Sequence, residues 1–393
     1  MKSKRLCPIC TAEEAEFLHS QKFTLPVGHP LSSGYDVVAC AQCGFVFADT
    51  TAAQADYDKF YAHYSKYEDA KTGTGGVENP YDWQRQQGTA RQIADFLNNP
   101  NASVLDVGCA NGGVLKGLKE LGYQNLCGVD PSITCVENTR RLGIEARQGS
   151  LFQPFRERAF DCIILSHTLE HVQDVQGAIR WIEDNLKPDG VIYLETPDAS
   201  RYKDFLYAPF QDFNTEHINH FSLMCLENLM NECGFSLEIS GTKNLPINAD
   251  MFYPAVFGFW KKGACAHSRN SKKDESLRLK IEEYIVCSQE IMNGINARVD
   301  ELLARKLPII LWGTGQLAMK LLSETSLANA DILAFVDNNP INHGKVLHNT
   351  PIIAPDELGG LGAPILITTL LHHQAIAKQI KRMNLKNEIV FLK

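Results

Sequence analysis

No stretch of this 393-residue chain approaches the roughly 20 consecutive apolar residues that a membrane-spanning helix requires. Dense blocks of lysine and arginine are missing too, and the formal charge is -8, which argues against a surface built for nucleic acid or anionic membrane. The basic start, Met1 to Arg5, is not followed by an apolar run, so no secretory leader is expected. No short internal repeat is visible. These absences predict a soluble, cytoplasmic protein. Hydrophobic residues make up 44% of the chain and charged residues 21%, enough apolar material for sizeable cores. At the usual ~100–200 residues per domain, two or three domains are expected.

Twelve cysteines are present. Eight of them (Cys109, Cys127, Cys135, Cys162, Cys225, Cys233, Cys265 and Cys287) are scattered, mostly in apolar segments, as buried thiols would be in a reducing compartment. The other four form two pairs: Cys7 and Cys10 flank Pro8-Ile9, and Cys40 and Cys43 flank Ala41-Gln42. Each CxxC wraps a knuckle that aims two thiolates at one point. Two knuckles complete a tetrahedral site with no position left for water, so the expected metal is a structural zinc ion. Gly44, directly after the last ligand, suits a knuckle turn. A redox CxxC would sit at a helix start in a thioredoxin-like unit, a context missing here.

The pattern along the chain predicts an α/β protein. A zinc-binding module and aromatic helix are expected over residues 1–70, with strand-like runs at Tyr35–Ala39 and Phe45–Ala48. Residues 71–262 alternate strands (Ser103–Val107, Leu126–Val129, Cys162–Ser166, Val191–Thr196) with helical segments, which points to a parallel sheet covered on both faces. Residues 263–305 read as a polar linker (His267–Glu275) and an amphipathic helix. Its stripe is Leu277, Ile281, Ile285, Ser288, Ile291, Ile295, Val299 and Leu302, expected to pack on its own chain. Residues 306–393 form a second Rossmann-like unit, with strands at Pro308–Trp312, Ile332–Val336 and Ile365–Thr368.

The segment Val104-Leu105-Asp106-Val107-Gly108-Cys109-Ala110-Asn111-Gly112-Gly113 is an apolar strand, an acid and a glycine turn that opens a helix at Val114–Leu121. Strand, glycine turn and helix together make a nucleotide cradle. Asp130 ends the next strand, placed to accept both ribose hydroxyls. Asp106 stands before the first glycine, where a pyrophosphate would be repelled and a cationic methionine end tolerated. Phe160-Asp161 through Leu169-Glu170-His171-Val172 and Leu186-Lys187-Pro188-Asp189-Gly190 follow in order. This ordered set resembles the motifs of class I S-adenosylmethionine (SAM)-dependent methyltransferases. The resemblance implies that Asp106, Gly108, Cys109, Ala110 and Gly112 line the methionine part of SAM and that Asp130 holds the ribose. It also implies that the adenine lies near Ser150 and Leu151, and that His167 sits beside the sulfur, unless it is only a packed histidine.

The next motif, Glu216-His217-Ile218-Asn219-His220-Phe221-Ser222, leads into a helix with Ser222 as its expected N-cap. Histidine is the natural general base at neutral pH, and Glu216 could orient it; the alternative is a polar loop. Zinc quartet, methyltransferase core, this motif and the second Rossmann-like unit, in that order, resemble the deoxysugar C-methyltransferases acting on nucleotide-linked 4-keto sugars. The resemblance implies that His217 removes a proton beside the keto group, with Asn214, His220, Tyr64, Gly313 and Gly315 contributing to the substrate site. Asn214 and Thr215 stand where that family usually has a tyrosine near the Glu-His pair. Tyrosines of the Tyr57–Tyr67 cluster could reach the SAM carboxylate or the substrate; equally, Tyr57, Tyr61 and Tyr64 share one helix face, which burial alone would explain. The turn Gly313-Thr314-Gly315 with Asp337 fits a nucleotide-sugar docking role, simple packing, or NAD binding by an oxidoreductase. The remaining alternatives are O- or N-methylation of a sugar or other polar metabolite, and a binding protein built on an inactive methyltransferase fold.

Overall fold

The computed structural model describes residues 1–63, 75–153, 159–263 and 271–393. They form two compact units, neither continuous in sequence. The first comprises residues 1–18, 37–205 and 216–281, and the second 19–36, 206–215 and 282–393. The sequence boundaries were drawn as continuous segments. Residues 19–36 and 206–215 join the later part of the chain because their polar groups find partners there: Gln21 donates to the Phe213 carbonyl, and the Phe210 amide to Ser288 Oγ.

In chain order the elements through the first unit are β1 (Ala15–Lys22), β2 (Gly34–Cys40), β3 (Val46–Asp49), α1 (Gln54–His63), α2 (Pro80–Leu97), β4 (Val104–Val107), α3 (Gly113–Glu120), β5 (Leu126–Asp130), α4 (Ile133–Arg141) and β6 (Glu145–Gln148). Then come β7 (Phe160–Ser166), α5 (Val175–Asn185), β8 (Leu186–Pro197), β9 (Asn219–His220), α6 (Leu223–Glu232), β10 (Phe235–Pro246) and β11 (Phe252–Lys262). The helices start where local chemistry dictates. Asn79 caps α2 by accepting from the Tyr81 and Asp82 amides, with Pro80 at the first helical position. Ser222 caps α6 through the Cys225 amide, as its sequence predicts.

Seven strands form the main sheet in the order β10-β11-β8-β7-β4-β5-β6. β8, β7, β4, β5 and β6 are parallel, whereas β11 runs antiparallel to β8 and β10 antiparallel to β11. Every residue of β4 and β5 is buried, as a strand covered on both faces demands. β10 escapes the sequence reading because FSLEISGTKNLP is half exposed and polar in alternate positions; β11, an apolar strand buried from Pro254 to Trp260, is absent from that reading too. β1 escapes it for the same reason as β10, with only Ala15 and Gln21 buried. A smaller sheet runs β1-β2-β3-β9.

The second unit is built on α7 (Glu275–Leu303) from Glu282 onward, β12 (Ile309–Trp312), α8 (Gln316–Glu324), β13 (Ile332–Val336), β14 (Val346–Leu347), β15 (Thr350–Ile353), β16 (Ile365–Ile367), α9 (His373–Arg382) and β17 (Ile389–Phe391). Its six strands are ordered β14-β15-β13-β12-β16-β17, all parallel except β14. The second Rossmann-like unit is therefore present. α7 buries its stripe within its own chain, but Tyr284 and Met292 are buried where Ile285 and Ile291 are only half-buried. The Tyr284 hydroxyl accepts from the Asp212 amide, which draws the stripe to that side. The predicted linker lies partly outside the described residues. Its end is not a free hinge: Asp274 is buried, accepts from Ser222 Oγ at 2.6 Å, and caps α7 through the Ser276 and Leu277 amides.

Candidate active site

The strand order of the main sheet reverses between β4 and β7. The loops leaving these two strands diverge, so a crevice opens at their carboxyl ends, where doubly wound sheets bind ligands. The cavity there is lined by Asp106, Gly108, Cys109 and Ala110 after β4, by Asp130 and Ser132 after β5, by Ser150 and Leu151 after β6, and by Ser166, His167 and Thr168 after β7. Seven of the eight residues that the sequence nominated for the cofactor thus share one cavity, and His167 lines it with them. Gly112 does not line it, and stands at the N-cap of α3. The turn holds Gly108 at φ +77°, and a Cβ there would lie 2.7 Å from Thr168 Oγ1, so only glycine leaves this wall of the cavity open.

Two buried carboxylates face the cavity. Asp130 accepts from the Ala110 amide through one oxygen and the Ser132 amide through the other, both at 2.9 Å. Burial lifts it to about 6 against these two donors. Burial, reinforced by the charge of Asp130, pushes Asp106 up to about 7. Two neighbouring buried carboxylates suit a ligand bearing positive charge and hydroxyl donors, and SAM carries both.

His167 has φ +53° and sits between two buried carboxylates, Nδ1 3.3 Å from Glu170 and Nε2 3.3 Å from Glu195. Burial alone would lower it, but hydrogen bonding and charge from the two glutamates raise it to about 9. His167 therefore carries its proton at neutral pH and acts as a fixed cation, not as a base. Lys243 of β10 pairs with the other oxygen of Glu195, to which Tyr193 also donates at 2.6 Å. Burial opposes its ionisation, yet Lys243 and His167 hold Glu195 well below the usual carboxylate range. One signal could have found this network: Glu195 is a charged residue inside an apolar strand, and a buried charge requires a partner.

The Glu-His motif is held against the segment after β7. The Ile218 amide donates to the Glu170 carbonyl at 2.8 Å, and Asn219 Nδ2 to the Leu169 carbonyl at 2.8 Å. His171, which lines the cavity, donates from Nδ1 to the Glu216 carbonyl at 3.1 Å. The His217 ring meets His171 edge-on, with centroids 4.9 Å apart. Tyr61, another lining residue, donates to Glu216 Oε2 at 3.4 Å. His171, Arg85 and Gln86 line the cavity and were missed by the sequence reading, whereas Tyr61 belongs to the tyrosine cluster that it named. They lie outside the glycine loop, on α1, α2 and the stretch after β7.

Other nominated residues fall elsewhere. His220 is fully buried in β9, its Nδ1 3.4 Å from Tyr202 Oη, and burial drives it down to about 3. Its ring is a neutral packing element in this structure. Asn214 belongs to the second unit, where its carbonyl accepts from Tyr35 at 2.7 Å. Gly313 and Gly315 also belong to that unit; in their turn Thr314 and Asn342 donate to Asp337. Tyr64 and Tyr67 lie outside the described residues, and Tyr57 is buried.

The cysteine quartet converges. Cys7 and Cys43 sulfurs are 3.6 Å apart, and those of Cys10 and Cys40 are 3.5 Å apart. Zn–S bonds of 2.3 Å set a tetrahedral edge of about 3.8 Å, so the four thiols fit a zinc ion with little movement. Gly44, at φ +78°, leaves room for the Asp274 carbonyl, which a Cβ would approach to 2.4 Å. Two residues before the first ligand, the buried Arg5 guanidinium donates to the Gln173 and Ile218 carbonyls. The cysteine module thereby braces the Glu-His motif.

Sheet order, glycine turn and paired strand-end acids together define the class I methyltransferase fold. Residues 81–238 match the family profile described as a methyltransferase domain, so the centre of the chain is a domain of the SAM-dependent methyltransferase class. Residues 305–391 match a profile described as C2185-like, N-terminal. Among curated proteins, the zebrafish (Danio rerio) mitochondrial arginine-hydroxylase NDUFAF5 is 31% identical over 117 residues, 28% of this chain and 36% of that protein. A tRNA U34 carboxymethyltransferase from Campylobacter curvus is 25% identical over 30% of this chain and 42% of its own length. A ubiquinone biosynthesis O-methyltransferase from Methylocella silvestris is 30% identical over 27% and 43%. The chain thus spans under half the length of these three relatives. A solved SAM-dependent methyltransferase from Thermotoga maritima is 18% identical with a TM-score of 0.37, covering 46% of this chain and 89% of its own.

Proposed function

We propose that the chain transfers a methyl group from SAM to a carbon atom beside the carbonyl of a nucleotide-linked 4-keto-deoxysugar. The observation that carries this reading is the packing of His217 on His171 in the wall of the cavity that holds Asp106 and Asp130. A carbon beside a carbonyl is not nucleophilic until deprotonated, so a base must stand near the cofactor's methyl group. His217 takes that proton, and His171 and Glu216 position it. Asp130 accepts from the ribose hydroxyls. Asp106 and the 108–110 backbone hold the methionine end, with Arg85 facing its carboxylate. Ser150 and Leu151 flank the adenine. SAM supplies an electrophilic methyl group. The cysteine quartet would hold a structural zinc ion.

The matched relatives are named for tRNA, ubiquinone and arginine as substrates, and a shared fold does not fix the acceptor. The second reading is therefore O-methylation of a small polar metabolite, with His217 taking the hydroxyl proton during transfer. Proton NMR of keto-sugar nucleotides in heavy water separates the two. Carbon methylation requires enzyme-dependent loss of the signal beside the carbonyl, absent in His217→Ala, whose SAM affinity stays within about twofold of wild type. No exchange across a panel of keto-sugars would reject it in favour of O-methylation.

A further inference from the structure

Glu170, His171 and His217 each offer a ligand atom, and the three atoms lie within 4.8 Å of one another. All three residues belong to the first unit, and none is part of the cysteine quartet. Three features mark this as more than a chance cluster. First, the ring of His171 is fixed in one tautomer: a carbonyl only accepts, so the 3.1 Å contact to the Glu216 carbonyl places the proton on Nδ1 and leaves the lone pair on Nε2. That nitrogen lies 3.9 Å from Glu170 Oε1. Histidines that bind metals are oriented this way, with the far ring N–H given to a backbone carbonyl. Second, Glu170 is 1% exposed, and its Oε2 has no hydrogen-bond partner among the described residues. Its other oxygen lies 3.3 Å from His167, the second contact that a ligating carboxylate normally keeps. Third, His171 lines the cavity, so an ion at this point has coordination positions open to a bound molecule.

We propose that Glu170, His171 and His217 form a second metal site, taking one divalent transition-metal ion on the cavity wall. Two imidazoles and one carboxylate suit zinc, cobalt, nickel or ferrous iron better than magnesium, which prefers oxygen. Bonds of 2.0–2.2 Å require the three ligand atoms to close to about 3.4 Å, from separations of at most 4.8 Å. The site stands on its own geometry. Its consequence rests on the reading above: an ion bound to His217 competes with the proton that this base would remove, so metal loading and proton abstraction exclude each other.

The test is titration with cobalt(II) chloride of the full-length protein loaded with a single equivalent of zinc, which the cysteine quartet takes first. The expected result is one bound cobalt with visible d–d absorption and no thiolate-to-metal charge-transfer band. The d–d bands are lost in His171→Asn and in His217→Asn, and binding weakens at least tenfold in Glu170→Gln. In the wild-type protein the His171 Nδ1–H should give a paramagnetically shifted proton signal, a readout that needs no variant. Cobalt seen only with thiolate bands, d–d bands that survive both histidine substitutions, or no shifted imidazole proton would each overturn the site. Deuterium exchange into a keto-sugar by metal-free enzyme is scored separately, so loss of the metal site and loss of the proposed reaction are distinguishable.

Discussion

Asp106 and Asp130 stand near the ends of neighbouring parallel strands as two buried carboxylates, and the charge of Asp130 adds to burial in raising Asp106. Both acids are raised in the folded state, to about 7 and about 6, from an ordinary 3.8. Between these values the folded chain holds protons that the unfolded chain has released. Their contribution is fully present below about pH 3.8 and is lost as pH rises through 6 to 7. A cationic ligand prefers the ionised pair. SAM should therefore raise the melting temperature more at pH 8 than at pH 5.5, with protons released on binding near pH 6.5. Calorimetry in buffers of different ionisation enthalpy reads that release; a pH-independent affinity with no proton release contradicts the assignment of this pair.

Gly108→Val places a branched side chain where a single Cβ already meets Thr168 Oγ1 at 2.7 Å, at a φ that valine avoids. Affinity for SAM should fall at least tenfold, about 1.4 kcal/mol, in a protein that remains folded. Equilibrium dialysis with labelled SAM checks it; unchanged affinity would remove this turn from the binding site.

Lys243→Met leaves Glu195, 1% exposed, with one cationic partner in place of two. Breaking a buried pair from one side costs about 3–5 kcal/mol. A urea midpoint within experimental error of wild type would mean that the Lys243 ammonium contributes little there.

One zinc ion per chain is expected from elemental analysis, held by Cys7, Cys10, Cys40 and Cys43. Its removal by chelator should destabilise the first unit and, through Arg5 on the Ile218 carbonyl, loosen the Glu-His motif. Hydrogen exchange at residues 216–220 should then rise. A protein that is fully folded and free of metal would discard the structural site.

Much of the architecture was legible because it is written locally. The apolar runs around Leu105, Cys127 and Ile163 mark strands covered on both faces, and Gly108 with Asp106 marks the turn. The paired CxxC spacing marks a site that needs no tertiary information beyond closure. The edge strand β10 was illegible because an exposed face dilutes the apolar signal. His220 reads like His217 in sequence, yet it is fully buried against Tyr202.

The sequence by itself determined the parallel sheet, the glycine turn with its two acids, and the four thiols. Each follows from residue types at fixed spacing along one strand, turn or knuckle. Only the tertiary structure decided that His167 is clamped by Glu170 and Glu195, that Lys243 reaches Glu195 from another strand, and that His171 stands between His217 and the cofactor cavity. Those relations join residues up to 48 positions apart, and charge pairing and packing act through space, so no local pattern encodes them.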